Sequence, residues 1–279
     1  MKKIIKSELI LEIASNLKKQ KGFVKTHNHF KFDIEQTNIS ILTDDISKQI
    51  EQEKGNYISL NFNELLYFDL KAKNYICKKL MSAIKLLLKK NNINVKKLLV
   101  VGLGNEKYAC DSLGSKVTKR IFVTKPYLDK KLFAKEELAE VYAIRTGVYG
   151  TTGLDSSVVV KSICSHINPD LVIAIDSMVA SDENRLAKSI QLSDTKLLPG
   201  GGVGNMRKEI SKQSIGVPVI AIGVPLVINA NTLCKGAENL IVSPKDVENK
   251  VFVISKIIAK AINLTFNNIS EQELAEMTE

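Results

Sequence analysis

The sequence predicts an α/β protein: a mostly parallel sheet flanked by helices, with a small N-terminal β/α extension. Three observations lead there. Leu98-Leu99-Val100-Val101, Leu171 to Ile175 and Val217 to Ile222 are continuous apolar runs rather than alternating ones, as expected of strands covered on both faces. Each run is followed by Gly or Asp and then a helix-like stretch, and strands alternating with helices wind into a parallel sheet through right-handed crossovers. With 279 residues, 44% of them hydrophobic, the chain is long and apolar enough to bury a real core.

The elements follow in order. Ile5, Leu9, Ile13 and Leu17 recur every four residues and predict a helix over residues 1–20, part of an arm over 1–36 that is either docked or removable as a pro-segment. From Lys21 to Asn38 the pattern fades into an expected exposed linker carrying His27 and His29, which lack the further ligands of a metal site. Thr37 to Leu42 and Asn56 to Phe62 read as two short strands, a hairpin. Residues 69–90 predict a long helix with Ile76, Leu80, Ile84 and Leu87 or Leu88 on its core side and Lys71, Lys78, Lys85 and Lys89 outside. Ser156 to His166 and Val247 to Phe266 predict covering helices, the second opened by Ser243-Pro244-Lys245-Asp246. Residues 37–279 thus form a single expected domain.

Composition removes several classes of function. The longest apolar stretches, such as Pro218 to Ala230, fall short of the roughly 18–20 residues of a bilayer crossing, so no membrane association is expected. Glu8 and Glu12 interrupt the only segment placed to be a secretory signal, which points to a cytoplasmic protein. Cys77, Cys110, Cys164 and Cys234 include no CxxC pair and read as reduced, mostly buried thiols. The net charge of +10 is concentrated in the first third, where it either attracts acidic partners or reflects a solvated Lys-rich surface.

In an open parallel sheet, ligands gather beyond the carboxyl ends of the strands. Three places follow such ends: Gly102-Leu103-Gly104-Asn105 leading to Asp111-Ser112-Leu113-Gly114, Asp176-Ser177 after Ile175, and the loop Pro199-Gly200-Gly201-Gly202-Val203-Gly204-Asn205 with Arg207 and Lys208 behind it. The first lacks the third glycine of a dinucleotide fingerprint, and no Walker-type phosphate loop occurs. A carboxylate ending an apolar strand is partly desolvated and raised in pKa. Asp176 fits that description, and Asp111 is placed to face it. Two such carboxylates supply the base and the acid that amide hydrolysis needs. The competing reading makes Asp111 the N-cap of a helix over Ser112 to Arg120, and spacing alone favours it. Asp194, ahead of the glycine loop, is ambiguous in the same way.

These motifs resemble the germination protease family of spore-forming bacteria over roughly residues 39–266. The resemblance rests on Val100 to Asn105, Asp111 to Gly114, Gly147-Val148-Tyr149-Gly150-Thr151-Thr152-Gly153, Pro169 to Asp176, Asp194-Thr195, Pro199 to Asn205 with Arg207-Lys208-Glu209, and Gly216 to Pro225. It implies a hydrogenase-maturation-protease- or phosphorylase-like fold and an atypical aspartic endopeptidase acting on small acid-soluble spore proteins, with its essential aspartates falling on Asp111 and Asp176. It implies further a zymogen that processes its own N-terminus and a homotetramer in the spore core or forespore, with no cofactor, metal or direct nucleic-acid partner. Asn105, Asp194, Gly201, Gly202, Asn205 and Arg207 are the supporting or substrate-binding candidates, and the loop amides around Gly200 to Asn205 are placed to steady an oxyanion.

The sequence departs from the family in several places. No Arg-Thr-Asp-Leu-Ala-like stretch stands near Lys25-Thr26-His27, the segment from Arg120 to Val141 is compressed, and Ser177-Met178-Val179-Ala180-Ser181 replaces a more alanine-rich and basic stretch. Two alternatives keep different chemistry in view. One is a metal-dependent endopeptidase like the hydrogenase maturation proteases, which usually add a histidine ligand not evident here. The other is a non-catalytic binding protein whose basic N-terminal region holds acidic partners.

Overall fold

The computed structural model describes residues 7–15, 17, 20–131, 138–200, 207–234, 236–237, 240–267, 269–270 and 272–274. Its strands are β1 (Phe23–His29), β2 (Glu35–Ile41), β3 (Gly55–Asn61), β4 (Lys97–Leu103), β5 (Glu140–Gly147), β6 (Leu171–Ala180), β7 (Ser189–Ser193), β8 (Lys196–Leu197), β9 (Ile210–Ser211), β10 (Val219–Asn229) and β11 (Ile241–Val242). The main sheet runs β1-β2-β3-β7-β10-β6-β4-β5, with β11 on β10, while β8 and β9 form a separate ribbon. The α/β class holds, and the sheet is mixed. β10, β6, β4 and β5 are a parallel block, and β1, β2, β3 and β7 join it as an antiparallel wing.

The continuous apolar runs are buried on both faces, one residue parity to each. Leu98, Val100, Ile173, Ile175, Ile220 and Ile222 pack under helices Leu70–Lys90, Leu113–Thr118 and Val247–Phe266. Leu99, Val101, Val172, Ala174, Val219 and Ala221 pack against helix Ser156–Ile167 and Ile215. Helix Leu70–Lys90 keeps the boundaries its periodicity predicts. Asp69 accepts the Ala72 N–H at 2.9 Å as its N-cap, and Ile76, Leu80, Ile84 and Leu87 are buried, each contributing about 1.5–3 kcal/mol of apolar transfer.

The N-terminal third differs from expectation. Only Ile10–Ile13 is helical among the described residues of the expected 1–20 helix, and the expected linker contains β1. Six of the seven β1 residues are exposed, so the strand carries no apolar alternation to announce it; its order comes from full-length pairing with β2. The two expected hairpin strands do pair, as β2 and β3, through an intervening helix Asp44–Ile50. The boundary expected at 36/37 falls inside β2. Ile10, Leu11, Ala14 and Phe23 share a buried cluster with Ile39, Ile41 and Tyr57, so removing the whole arm would open that cluster.

Helix Leu113–Thr118 lies against the sheet at backbone distance. A Cβ built on Gly114 would stand 2.4 Å from the Leu103 nitrogen and 2.6 Å from the Ile175 oxygen, neither of which is free to move. Gly114→Ala is therefore expected to lower stability by about 1–3 kcal/mol, the usual cost of overpacking, read as a drop in the urea midpoint at unchanged slope. An unaltered midpoint would refute that contact.

Candidate active site

Asp176 owes its environment to unequal pairing on its two sides. β6 bonds β10 as far as Ala180, but bonds β4 only from Leu171 to Ile175. Asp176 is thus inside a strand rather than at its end, as the sequence had implied, at the level where one neighbour has stopped. Its side chain is 8% exposed, and Oδ1 accepts the N–H of Ser177 at 2.8 Å.

Asp111 comes from the segment that leaves β4. Gly104 takes φ +90°, and a Cβ there would lie 2.1 Å from the Asp111 carbonyl oxygen, so the loop closes tightly upon itself. Asp111 Oδ2 accepts the Asn105 N–H at 2.7 Å. The capping reading is thereby displaced: Asp111 binds an amide six residues upstream, and Ser112 is the cap position of helix Leu113–Thr118. Asn105 serves Asp111 through its backbone, while its Oδ1 accepts the Lys107 N–H at 3.1 Å.

Both aspartates line one cavity of about 480 Å³, together with Asn105, Arg207 and the first loop residues Pro199 and Gly200. Burial lifts the Asp111 carboxyl above its ordinary value, opposed by the Asn105 amide. Burial lifts Asp176 well above its own, the negative charges of Asp111 and then Glu8 push it further, and the Ser177 amide opposes them. A like charge nearby favours the protonated form of a carboxyl group. The Cys110 thiol beside them is also pushed up, by burial and then by Asp111.

The supporting candidates divide. Arg207 is at the cavity, its guanidinium 4.2 Å from the centre of the Tyr149 ring. Asp194 is not: Oδ1 accepts the Asn56 N–H at 2.7 Å and Oδ2 accepts the Asn56 and Asn91 side-chain amides at 2.7 and 2.6 Å, tying β3 to the end of helix Leu70–Lys90. Gly201, Gly202 and Asn205 lie outside the described residues. Glu8, Cys110 and Tyr149 line the cavity without having been singled out. The signal for Glu8 was its four-residue spacing from Glu12, two acids on one side of an otherwise apolar segment. Among the described residues no group of three or more His, Cys, Asp or Glu is arranged to hold a metal ion, and no helix is long and apolar enough to cross a membrane.

A proton held more tightly in the folded state sets the sign of one stability effect. The unfolded carboxyl ionises at about 3.9, so between that pH and the raised folded value the unfolded chain binds fewer protons, and stability falls as pH rises. Asp176→Asn escapes that loss. It is expected to melt above the parent near neutral pH, by about 2–4 °C for each kcal/mol regained, with the gap closing towards about pH 4. Circular dichroism melts across pH check it, and a pH-independent gap would contradict it.

The germination protease family model matches residues 4–238. The germination protease of Clostridium perfringens strain 13 is 30% identical, with 87% of each chain covered, and that of Caldanaerobacter subterraneus subsp. tengcongensis is 30% identical, with 98% of each covered. The germination protease of Clostridium acetobutylicum is 35% identical over 75% of this chain and 65% of its own length. A hydrogenase maturation protease, HycI of Thermococcus kodakarensis, aligns at 18% identity and a TM-score of 0.35 over 61% of this chain and 94% of its own, too loose a likeness to carry an argument. With its parallel block, its aspartate cavity and these relatives, the chain belongs to the germination protease family and is a peptidase, a hydrolase of peptide bonds.

Proposed function

We propose that the protein is a spore-germination endopeptidase that hydrolyses small acid-soluble spore proteins through Asp111 and Asp176. The observation that carries this reading is the convergence of two aspartates, distant in sequence, on one cavity where the charge of one raises the proton affinity of the other. Asp176, the more deeply desolvated, holds the shared proton. Asp111, whose carboxylate accepts the Asn105 N–H, is the base.

The roles then follow. Asp111 takes a proton from water as the water oxygen bonds to the peptide carbonyl carbon, and Asp176 donates its proton towards the leaving nitrogen as the C–N bond breaks. The turnover ends with Asp111 protonated and Asp176 ionised, and transfer of one proton between them, directly or through solvent, restores the start. Arg207 and the entry of the glycine loop at Pro199 and Gly200 border the space left for substrate. The family likeness supports a homotetramer in the cytoplasm of the spore, and processing of the N-terminal segment.

Asp111→Asn and Asp176→Asn each remove one proton-transfer group while keeping shape. Each is expected to lower kcat on a purified acid-soluble spore protein by about 10²–10⁴-fold, followed by mass mapping of the fragments. Cleavage at the parental rate by either variant would end the two-aspartate mechanism.

A further inference from the structure

Between Leu70 and Asn105 the chain holds nine lysines and no aspartate or glutamate. Most of these lysines ride on helix Leu70–Lys90, whose inner side is the buried stripe of Ile76, Leu80, Ile84 and Leu87. Lys71, Lys78 and Lys85 follow one another at seven-residue steps, close to two turns each, so they stand in one exposed row at intervals of about 10 Å. Lys89 extends the row by a further turn. Other lysines of the helix are engaged in the fold: Lys79 lies 3.2 Å from the centre of the Phe30 ring, and Lys90 donates to Asn56 Oδ1 at 2.6 Å and to Ser40 Oγ at 3.1 Å. Among the described residues, none of the four in the row forms an ion pair.

The stability of the helix does not account for that row. Lys71 stands in the first turn, where a cation opposes the helix dipole, and Lys85 and Lys89 repel each other at four-residue spacing. The acids at the two ends are committed elsewhere. Asp69 caps the Ala72 N–H, Glu64 pairs with Lys188 and Lys250 at 3.3 and 3.0 Å, and Asp194 accepts from Asn56 and Asn91. Helix Val247–Phe266, packed alongside, brings further cations: Lys260 donates to Asn74 Oδ1 at 3.2 Å across the seam, with Lys256 one turn before it.

We propose that the exposed lysine row of helix Leu70–Lys90 is a docking surface for the phosphate backbone of double-stranded nucleic acid. The partner that fits is a stiff polyanion with closely and regularly spaced charges. Duplex DNA carries one negative charge per about 1.7 Å of its axis, so a helix of about 30 Å meets phosphates along its whole length. An acidic polypeptide offers no such regularity. The helix holds no arginine, the residue that grips base edges with two parallel bonds, so contact stops at the backbone and is indifferent to sequence. This surface departs from the expectation of no direct nucleic-acid partner. It is independent of the two-aspartate reading, because none of its lysines lines the cavity.

The test is fluorescence anisotropy of a labelled DNA duplex of about 20 base pairs, titrated with the full chain at KCl concentrations from about 50 to 200 mM. Four neutralised phosphates give a slope of log affinity against log salt of about −3.6, a loss of about 10²-fold across that range. K71Q/K78Q/K85Q/K89Q is expected to weaken binding by about tenfold or more at the lowest salt and to bring the slope near zero, with cleavage of a spore protein unchanged. K161Q/K212Q, which removes exposed cations from the opposite face of the sheet, should leave the slope where it is. If the quadruple variant folds poorly, K78Q/K85Q should still reduce the slope by about 2. Absence of binding at the lowest salt, or a parental slope in the folded lysine variants, would overturn the proposal. Competition by polyglutamate as effective, charge for charge, as unlabelled duplex would overturn it too, by assigning the row to an acidic protein.

Discussion

The structure depends on the parting of crossovers between β4 and β6. The chain leaves β4 towards β5 on one side, then returns past β4 to build β6 and β10 on the other. Helix Leu113–Thr118 follows β4 onto one face of the sheet, and helix Ser156–Ile167 precedes β6 on the opposite face. Connections that diverge at neighbouring strands leave a crevice beyond their carboxyl ends, because no backbone crosses it. Gly114 decides how narrow that crevice is. Its missing side chain lets a helix backbone rest on Leu103 and Ile175 and brings the Ala109–Asp111 turn beside β6.

Given that geometry, the electrostatics of the cavity follow from burial. Asp176 keeps little contact with water beyond the cavity it lines, since β10 pairs along one flank of its strand. Ionising it would cost far more than ionising an exposed carboxylate, and a charged Asp111 adds to the cost. Asp111 is less deeply buried and its charge is met by a backbone amide, so burial pushes the two identical side chains upward unequally. Such asymmetry is what a paired acid and base require. It arises from where two strands stop, without a change in residue type.

How much of this was legible in the sequence depended on whether the signal was local. The buried strands and helix Leu70–Lys90 announced themselves because continuous apolar runs and a four-residue period both report burial directly. β1 did not, because beyond the buried Phe23 it is an exposed edge strand held mainly by pairing, and pairing leaves no mark on one strand read by itself. Asp111 and Asp176 were singled out by the rule for strand ends and line one cavity, although β6 runs on past Asp176. Asp194 was misplaced by proximity in sequence to the glycine loop, whereas β7 carries it to β3 and to Asn91. The place of Glu8 at the cavity left no mark either, because it is set by a docking partner 171 positions away.

The same separation explains how the N-terminal segment is tied to the strand that carries Asp176. A carboxylate held by a backbone amide is positioned as firmly as the strand that supplies the amide, and here that strand is β6, which also carries Asp176. Displacing residues 7–14 would remove Ile10 and Leu11 from their cluster and at the same time remove a negative charge from the cavity wall. Loss of apolar burial and loss of charge are thus coupled in one movement, though each has a different physical origin. Ile10→Ala isolates the packing contribution, at about 2–5 kcal/mol. A melting temperature lowered by that substitution would establish that apolar burial docks the segment against β2 and β3.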